Sequence, residues 1–340
     1  MAKFTFTGFV RDQYAKRPPV TKVDLTGKTV LVVGANAGLG FETSKHLATM
    51  NPGRLILACR SQSKGQEAVE NIKKETGCTT VELWIVDLAD FASVRRFADK
   101  FDQDGGRLDY FVANAAVILP RYERTKDGYE TCIQVNCFAL PLLSFLLLPH
   151  MIRTAREHSS TPRIVFVASE VHFMAKVEKQ ILESPEILKT LASAEYCTPK
   201  RMEQRYFLTK LLNVFFVRAF NDHLAASTPL IVNAVTPGFC YSNIRTTFTG
   251  LMAVMDFFME VFFALPTEVG SRQLVWAAVG GEPNELRGQY INRQRVEECS
   301  DFVLSPEGKR MQDRIWDEML EMLSKVDERV ISAADIHLRQ

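Results

Sequence analysis

The chain has 340 residues, 46% of them hydrophobic, and a net charge of +1. That composition excludes a disordered chain, and the balanced charge excludes the basic field of a nucleic-acid binder, so no nucleic-acid partner is expected. Seven cysteines without a CxxC pair and six histidines without metal-ligand spacing exclude a disulfide framework and a zinc cluster, so no metal is expected.

Residues 1–26 read as an extended lead-in, because Pro18-Pro19 forbids helix there. That stretch has no apolar signal-peptide core, and with reduced cysteines it points to a cytoplasmic protein. Thr29–Val33 is the apolar, β-branched kind of run that forms a strand buried on both faces. It breaks at Gly34-Ala35-Asn36-Ala37-Gly38-Leu39-Gly40, and a helical pattern resumes through Phe41 and Leu47. A strand that turns through glycines into a helix N-terminus makes an anion site. Backbone N–H groups and the helix dipole face the ligand, and missing side chains let a pyrophosphate approach.

Further strands are expected at 54–59, 80–86, 108–113, 163–168 and 230–235, alternating with helices at 61–75, 91–101, 128–152 and 203–223. The apolar stretch from Cys137 to Pro149 is too short to cross a bilayer and reads as a buried helix, so no transmembrane segment is expected. The alternation predicts an α/β fold: a Rossmann-like, doubly wound parallel sheet in three layers. One domain over 27–340 is expected, with an insertion at 170–205, a substrate-side lid at 243–265 and a C-terminal helix at 308–326.

Tyr206 and Lys210 lie four residues apart on a helix and so share one face. A lysine ammonium beside a phenol favours the phenolate and brings its pKa toward a range useful for proton transfer. The order of motifs adds to this pair. The glycine turn comes first, then Asp87-Leu88, Asn114-Ala115-Ala116, Asn136, Ser169, Tyr206/Lys210 and Pro237-Gly238. This arrangement resembles the short-chain dehydrogenase/reductase superfamily over residues 25–245. Within it, the chain looks most like the retinol-dehydrogenase and WW-domain-oxidoreductase branch, in its fungal-type members.

The resemblance implies a catalytic set of Asn136, Ser169, Tyr206 and Lys210. Tyr206 would exchange the proton at the substrate oxygen. Lys210 would lower its pKa and hold the nicotinamide ribose, and Ser169 would polarise the substrate oxygen. Asn136 would kink its helix and hold a water. Cofactor contacts would come from Gly34, Asn36, Ala37, Gly38, Leu39 and Gly40, from Asp87, Leu88, Asn114, Ala115 and Ala116, and from Pro237, Gly238 and Ser242. Two departures stand out: the family's NNAG reads Ala113-Asn114-Ala115-Ala116, and Ser169 and Tyr206 are widely separated.

The second strand ends in Ala58-Cys59-Arg60, with Lys64 a turn further on, where an NAD enzyme usually places an acid about twenty residues past the turn. Arg60 and Lys64 favour a 2′-phosphate, hence NADP(H) over NAD(H). Leu251–Leu265 is rich in Met and Phe, and is either a core-facing helix, a lid over a lipophilic substrate, or a face for peripheral membrane contact. The expectation is an NADP(H)-dependent carbonyl/alcohol oxidoreductase acting on a lipophilic small molecule, as a monomer or homodimer. The alternative is a non-catalytic NADP(H)-sensing protein on the same fold.

Overall fold

Thr29–Val33 forms β1, and all five residues are buried. Leu31 and Val33 enter one core while Val30 and Val32 enter the other, the alternation a pleat imposes when both faces are covered. The computed structural model describes residues 5–104, 106–245 and 250–338. The strands that follow are β2 (Arg54–Cys59), β3 (Val81–Ile85), β4 (Tyr110–Ala113), β5 (Arg163–Val167), β6 (Ile231–Val235), β7 (Tyr290–Asn292) and β8 (Arg295–Glu297). They make one sheet in the order β3-β2-β1-β4-β5-β6-β7-β8, parallel except where β8 pairs with β7.

The helices of the first half are α1 (Phe6–Tyr14), α2 (Gly38–Ala48), α3 (Gln62–Thr76), α4 (Phe91–Asp104), α5 (Thr131–Ile133) and α6 (Ala139–His158). Short helices α7 (Lys179–Leu182), α8 (Ile187–Ala192) and α9 (Pro199–Met202) build the insertion, before the long α10 (Arg205–His223). The remainder is α11 (Gly250–Phe263), α12 (Thr267–Val279), α13 (Asp301–Leu304), α14 (Pro306–Val326) and α15 (Arg329–His337). Apolar residues of α4, α6, α10, α14 and α15 cover one face of the sheet, and those of α2, α3 and α12 the other. Among the described residues, the run Thr131–His158 is the one helix long and apolar enough to cross a bilayer. Its apolar window is 94% buried, and it is the central helix of the first core.

The expected α/β architecture is present, with three differences. The lead-in is not wholly extended: residues 6–14 form α1, capped by the Thr5 hydroxyl, because the helix ends before Pro18-Pro19. β7 and β8 extend the sheet, each only three residues long and without a period-two run to betray it. Three further helices, α12, α13 and α15, stand outside the expected elements. Residues 1–4 of the lead-in and 246–249 of the expected lid lie outside the described residues.

The chain runs outward from β1 to β3, then crosses back to β4 on the other side of β1. Ligands bind at such a reversal, beyond the carboxyl ends of the strands. Here two loops approach closely. The Asn114 side chain donates to Gly34 O at 3.0 Å. A Cβ on Gly40 would lie 2.2 Å from Gly34 O and 2.6 Å from Asn114 Nδ2, and one on Gly34 would lie 2.8 Å from Ala115 Cα. Only glycine lets these backbones meet.

Replacing Gly40 with Ala must therefore move backbone, and should cost about 3 kcal/mol of stability. Gly77→Ala is the control, since that left-handed cap of α3 (φ 74°) has open space around it, and should cost about 1 kcal/mol. Urea unfolding of both variants measures the difference; equal losses would show that the close approach is relaxed.

Candidate active site

A cavity of about 900 Å³ opens at the carboxyl ends of the central strands. Its floor is the turn that joins β1 to α2. Helix α2 starts at Gly38 with no side-chain cap and no acidic residue in its first turn, so its leading N–H groups keep their positive end for a ligand. Gly38 has φ +59° with nothing within 4 Å of the Cβ position, so the space before the turn is open. The uncapped amides, the open space and Arg60 on the same wall fit the phosphates of a dinucleotide.

At the other end of the cavity, α10 brings Tyr206 and Lys210 to the wall. Lys210 is buried and its Nζ donates to Val167 O at 2.6 Å, which ties α10 to the end of β5. The same Nζ lies 5.3 Å from the centre of the Tyr206 ring. Burial pulls the Lys210 ammonium down to about 8 and pushes the Tyr206 phenol above its ordinary value, with the Arg245 guanidinium acting in the opposite direction on the phenol. The expected lowering of the phenol by Lys210 is thus not seen. Desolvation raises the phenol, and the cation that opposes it here is Arg245.

The residue before Tyr206 anchors the start of α10. Arg205 is buried against Glu130, Nε to Oε2 at 3.5 Å, and the Glu130 carboxylate also accepts from the N–H groups of Cys132 and Ile133 at 2.8 and 3.0 Å. A buried pair of this kind holds position, because losing either member strands the other charge.

Ser169 caps the short turn Glu170–Met174 through its hydroxyl, which accepts from Val171 N at 3.4 Å. Its carbonyl accepts from His172 Nδ1 at 2.8 Å, while His172 Nε2 accepts from Ser300 N at 3.2 Å. His172 is therefore a buried post between β5 and the C-terminal segment, neither a pocket nor a surface residue.

The cavity brings together most of the residues expected from sequence: Gly34, Asn36, Ala37, Gly38, Leu39, Arg60, Asp87, Leu88, Asn114, Ala115, Ala116, Ser169, Tyr206, Lys210, Pro237, Gly238 and Ser242. Three do not line it. Gly40 is a packing residue beneath the turn. Lys64 is exposed on the first turn of α3, where its N–H bonds to the Ser61 hydroxyl, and Arg60 alone of that pair reaches the cavity. Asn136 sits in a π turn, Gln134–Phe138. Its amide is bonded to Val117 N and O at 2.8 and 2.9 Å and to Thr209 Oγ1 at 3.2 Å, so it clamps the strand-β4 loop to α10.

The expected lid lines the cavity only in part. Of α11, Met259 lines the cavity, while Met255, Phe257, Phe258 and Phe262 are exposed. Ile244 and Arg245 of the same stretch also line it, and the rest of the apolar wall comes from Phe6 and Phe9 of α1, Met174 and Met202 of the insertion, Phe207 and Phe239. Sequence reading missed Arg245, which follows Ser242 by three residues, and α1. The Phe6/Phe9 spacing was the available signal for an apolar helical edge.

The family model for short chain dehydrogenases matches residues 28–180. Short chain dehydrogenase/reductase dmxR8 of Cryptosporiopsis sp. (strain 8999) is 34% identical over 331 residues, 96% of this chain and 99% of that protein. Short-chain dehydrogenase anuD of Penicillium roqueforti (strain FM164) is 32% identical over 333 residues, 95% and 84% of the two chains. Among solved structures, an uncharacterized protein from Mycobacterium Paratuberculosis superposes with a TM-score of 0.64 at 25% identity, covering 89% of this chain and 95% of that one. Salutaridine reductase from Papaver somniferum shares the fold at a TM-score of 0.56 and 19% identity, covering 78% and 99%. The chain belongs to the short-chain dehydrogenase/reductase family, oxidoreductases that use a nicotinamide cofactor.

His172 generates a pH prediction. Burial holds its imidazole down to about 4, whereas the unfolded chain takes up that proton near about 6.5. Between those values the unfolded state binds more protons, so stability is lost as pH falls from about 6.5 through 4. His172→Gln should flatten that part of the curve by about 2 kcal/mol, read by urea unfolding at pH 7 and pH 4.5. An unchanged slope would mean that other groups carry the acid sensitivity.

Proposed function

We propose that this protein is a cytoplasmic, NADP(H)-dependent reductase/dehydrogenase that interconverts a carbonyl and an alcohol on a lipophilic small molecule. The observation that carries the reading is the shared cavity. Arg60 and the uncapped α2 amides stand at one end, and Ser169, Tyr206 and Lys210 stand on the same wall as apolar side chains at the other. Bound there, a nicotinamide dinucleotide would supply or accept the hydride and, when oxidised, add a positive charge near the phenol.

Tyr206 gives its phenolic proton to the carbonyl oxygen as the alcohol forms, and takes it back in oxidation. The Ser169 hydroxyl donates to the same oxygen as negative charge develops on it. Lys210, held at about 8 and fixed to Val167 O, can carry or release a proton next to the phenol near neutral pH. Arg245 favours the phenolate, so the proton leaves Tyr206 more readily than burial alone would allow. The preference for NADP(H) is supported by Arg60 at the end of β2, where no carboxylate stands to repel a 2′-phosphate. The lipophilic substrate is supported by the Phe and Met side chains of the wall, which adapt to bulky apolar guests.

A homologous series of aldehydes assayed with NADPH tests this reading. Each methylene should raise kcat/KM by about fourfold until the apolar wall is covered. Tyr206→Phe should lower turnover about 100-fold or more with NADPH binding retained. A flat series, with small polar carbonyls preferred, would remove the lipophilic assignment, and a Tyr206→Phe variant within tenfold of wild type would remove the proton-transfer role.

Arg60→Ala isolates the cofactor choice. NADPH affinity should fall about 10- to 100-fold, from the loss of a charge-assisted contact, and NADH affinity should stay within a factor of about two. Equal losses for the two cofactors, measured by titrating intrinsic fluorescence, would make Arg60 a structural residue.

A further inference from the structure

Helix α11 is built inside out. Its two charges, Asp256 and Glu260, lie four residues apart and so share one face, and both pair with Arg245 beneath the helix. Arg245 Nε meets Asp256 Oδ1 at 2.7 Å, the guanidinium also donates to Cys240 O at 3.0 Å, and it rests over the Phe239 ring. The face turned away carries no charge. Val254, Met255, Phe257, Phe258, Val261 and Phe262 are between 52% and 61% exposed. A helix facing water turns its apolar side inward, and a contiguous exposed apolar face of this kind marks a contact surface.

The charges beside this face say what covers it. The Tyr14 hydroxyl of α1 donates to Phe262 O at 2.6 Å, which sets α1 against the C-terminal end of the apolar face. Arg11, one helical turn before Tyr14, and Lys16, two residues after it, are both exposed. The acid between them, Asp12, is shared by two guanidiniums, Arg11 at 3.3 Å and Arg293 at 2.7 Å, so the exposed charge on and just after α1 is positive. An apolar helical face flanked by cations is the pattern of a helix lying in the plane of an anionic bilayer. A two-fold pairing of copies would instead bring the same cations toward one another.

We propose that the outward faces of α11 and α1 dock this protein on the surface of an anionic phospholipid bilayer. With 14 residues, α11 lies in the interface and does not span it. The inner sides of the same two helices wall the cavity through Met259, Phe6 and Phe9, so the cavity adjoins the lipid. On the reading of a lipophilic substrate, that guest passes from the acyl region to Tyr206 without crossing bulk water; docking itself does not depend on that reading.

Co-sedimentation of the full chain with vesicles, without cofactor or substrate, tests the proposal. The protein should pellet with vesicles of phosphatidylcholine and phosphatidylglycerol, bind phosphatidylcholine alone far less, and come off as salt is raised. Phe257→Ser/Phe258→Ser/Phe262→Ser should lower partitioning about 100-fold. Arg11→Glu/Lys16→Glu should lower it at least about tenfold, on the anionic vesicles only. None of these five side chains lines the cavity, so NADPH binding by both variants should match wild type and shows that they are folded. Wild type left in the supernatant with both lipids, or serine variants that bind as wild type does, would overturn the proposal. So would a wild-type dimer in analytical ultracentrifugation that the serine substitutions dissociate, since the face would then belong to a second copy. Failure of the oxidoreductase reading would appear in turnover and leave sedimentation unchanged.

Discussion

The site depends on how closely two backbones come together at the reversal of strand order. Gly34 and Gly40, held by the Asn114 side chain, let the turn after β1 lie against the end of β4 with no side chain between them. That contact sets the start of α2, and with it the direction in which the leading amides point. It also places Ala115 and Ala116 on the cavity wall, since the loop after β4 is pinned at one end by Asn114 and at the other by Asn136 through Val117. The two asparagines thus share one task, which is to fix the loop that divides the dinucleotide end from the reacting end.

Burial governs the ionisation of the two groups that α10 brings to the cavity. The same desolvation raises the Tyr206 phenol and lowers the Lys210 ammonium, so both groups are pushed toward their neutral forms. A positive charge nearby then acts against that push on the phenol. Arg245 supplies one such charge from outside the Tyr206/Lys210 helix. Its own pairing with Asp256 and Glu260 ties the charge that faces the phenol to the position of α11.

The fold was readable because its strands are short, apolar and β-branched, and alternate with helices at regular spacing. The pairing of Tyr206 with Lys210 on one helix face was readable from their four-residue spacing, and the turn from its glycines. What sequence could not convey was orientation. The Met- and Phe-rich run of α11 reads equally as a core helix, a lid or a membrane face, because its facing is decided by a salt bridge to Arg245, a residue outside the helix. Lys64 looked equivalent to Arg60, but the first turn of α3 carries it past the cavity. The partners of the Asn136 amide, Val117 and Thr209, are set by tertiary packing.

The contacts of α1 bear on how the molecule is made. Gln13 donates to Phe239 O and Phe263 O, partners 226 and 250 residues later in the chain. At ribosomal speeds of about 5–20 residues per second, a gap of 226 residues is roughly 10–45 s of synthesis. Throughout that interval Phe6, Phe9 and Tyr14 have no α11 to pack against, and their closure over long loops comes late. The Rossmann-like sheet can assemble without them, whereas one whole wall of the cavity is completed only when the two distant segments meet. In a nascent chain these rings are apolar surface awaiting a partner, a natural place for a chaperone to hold on.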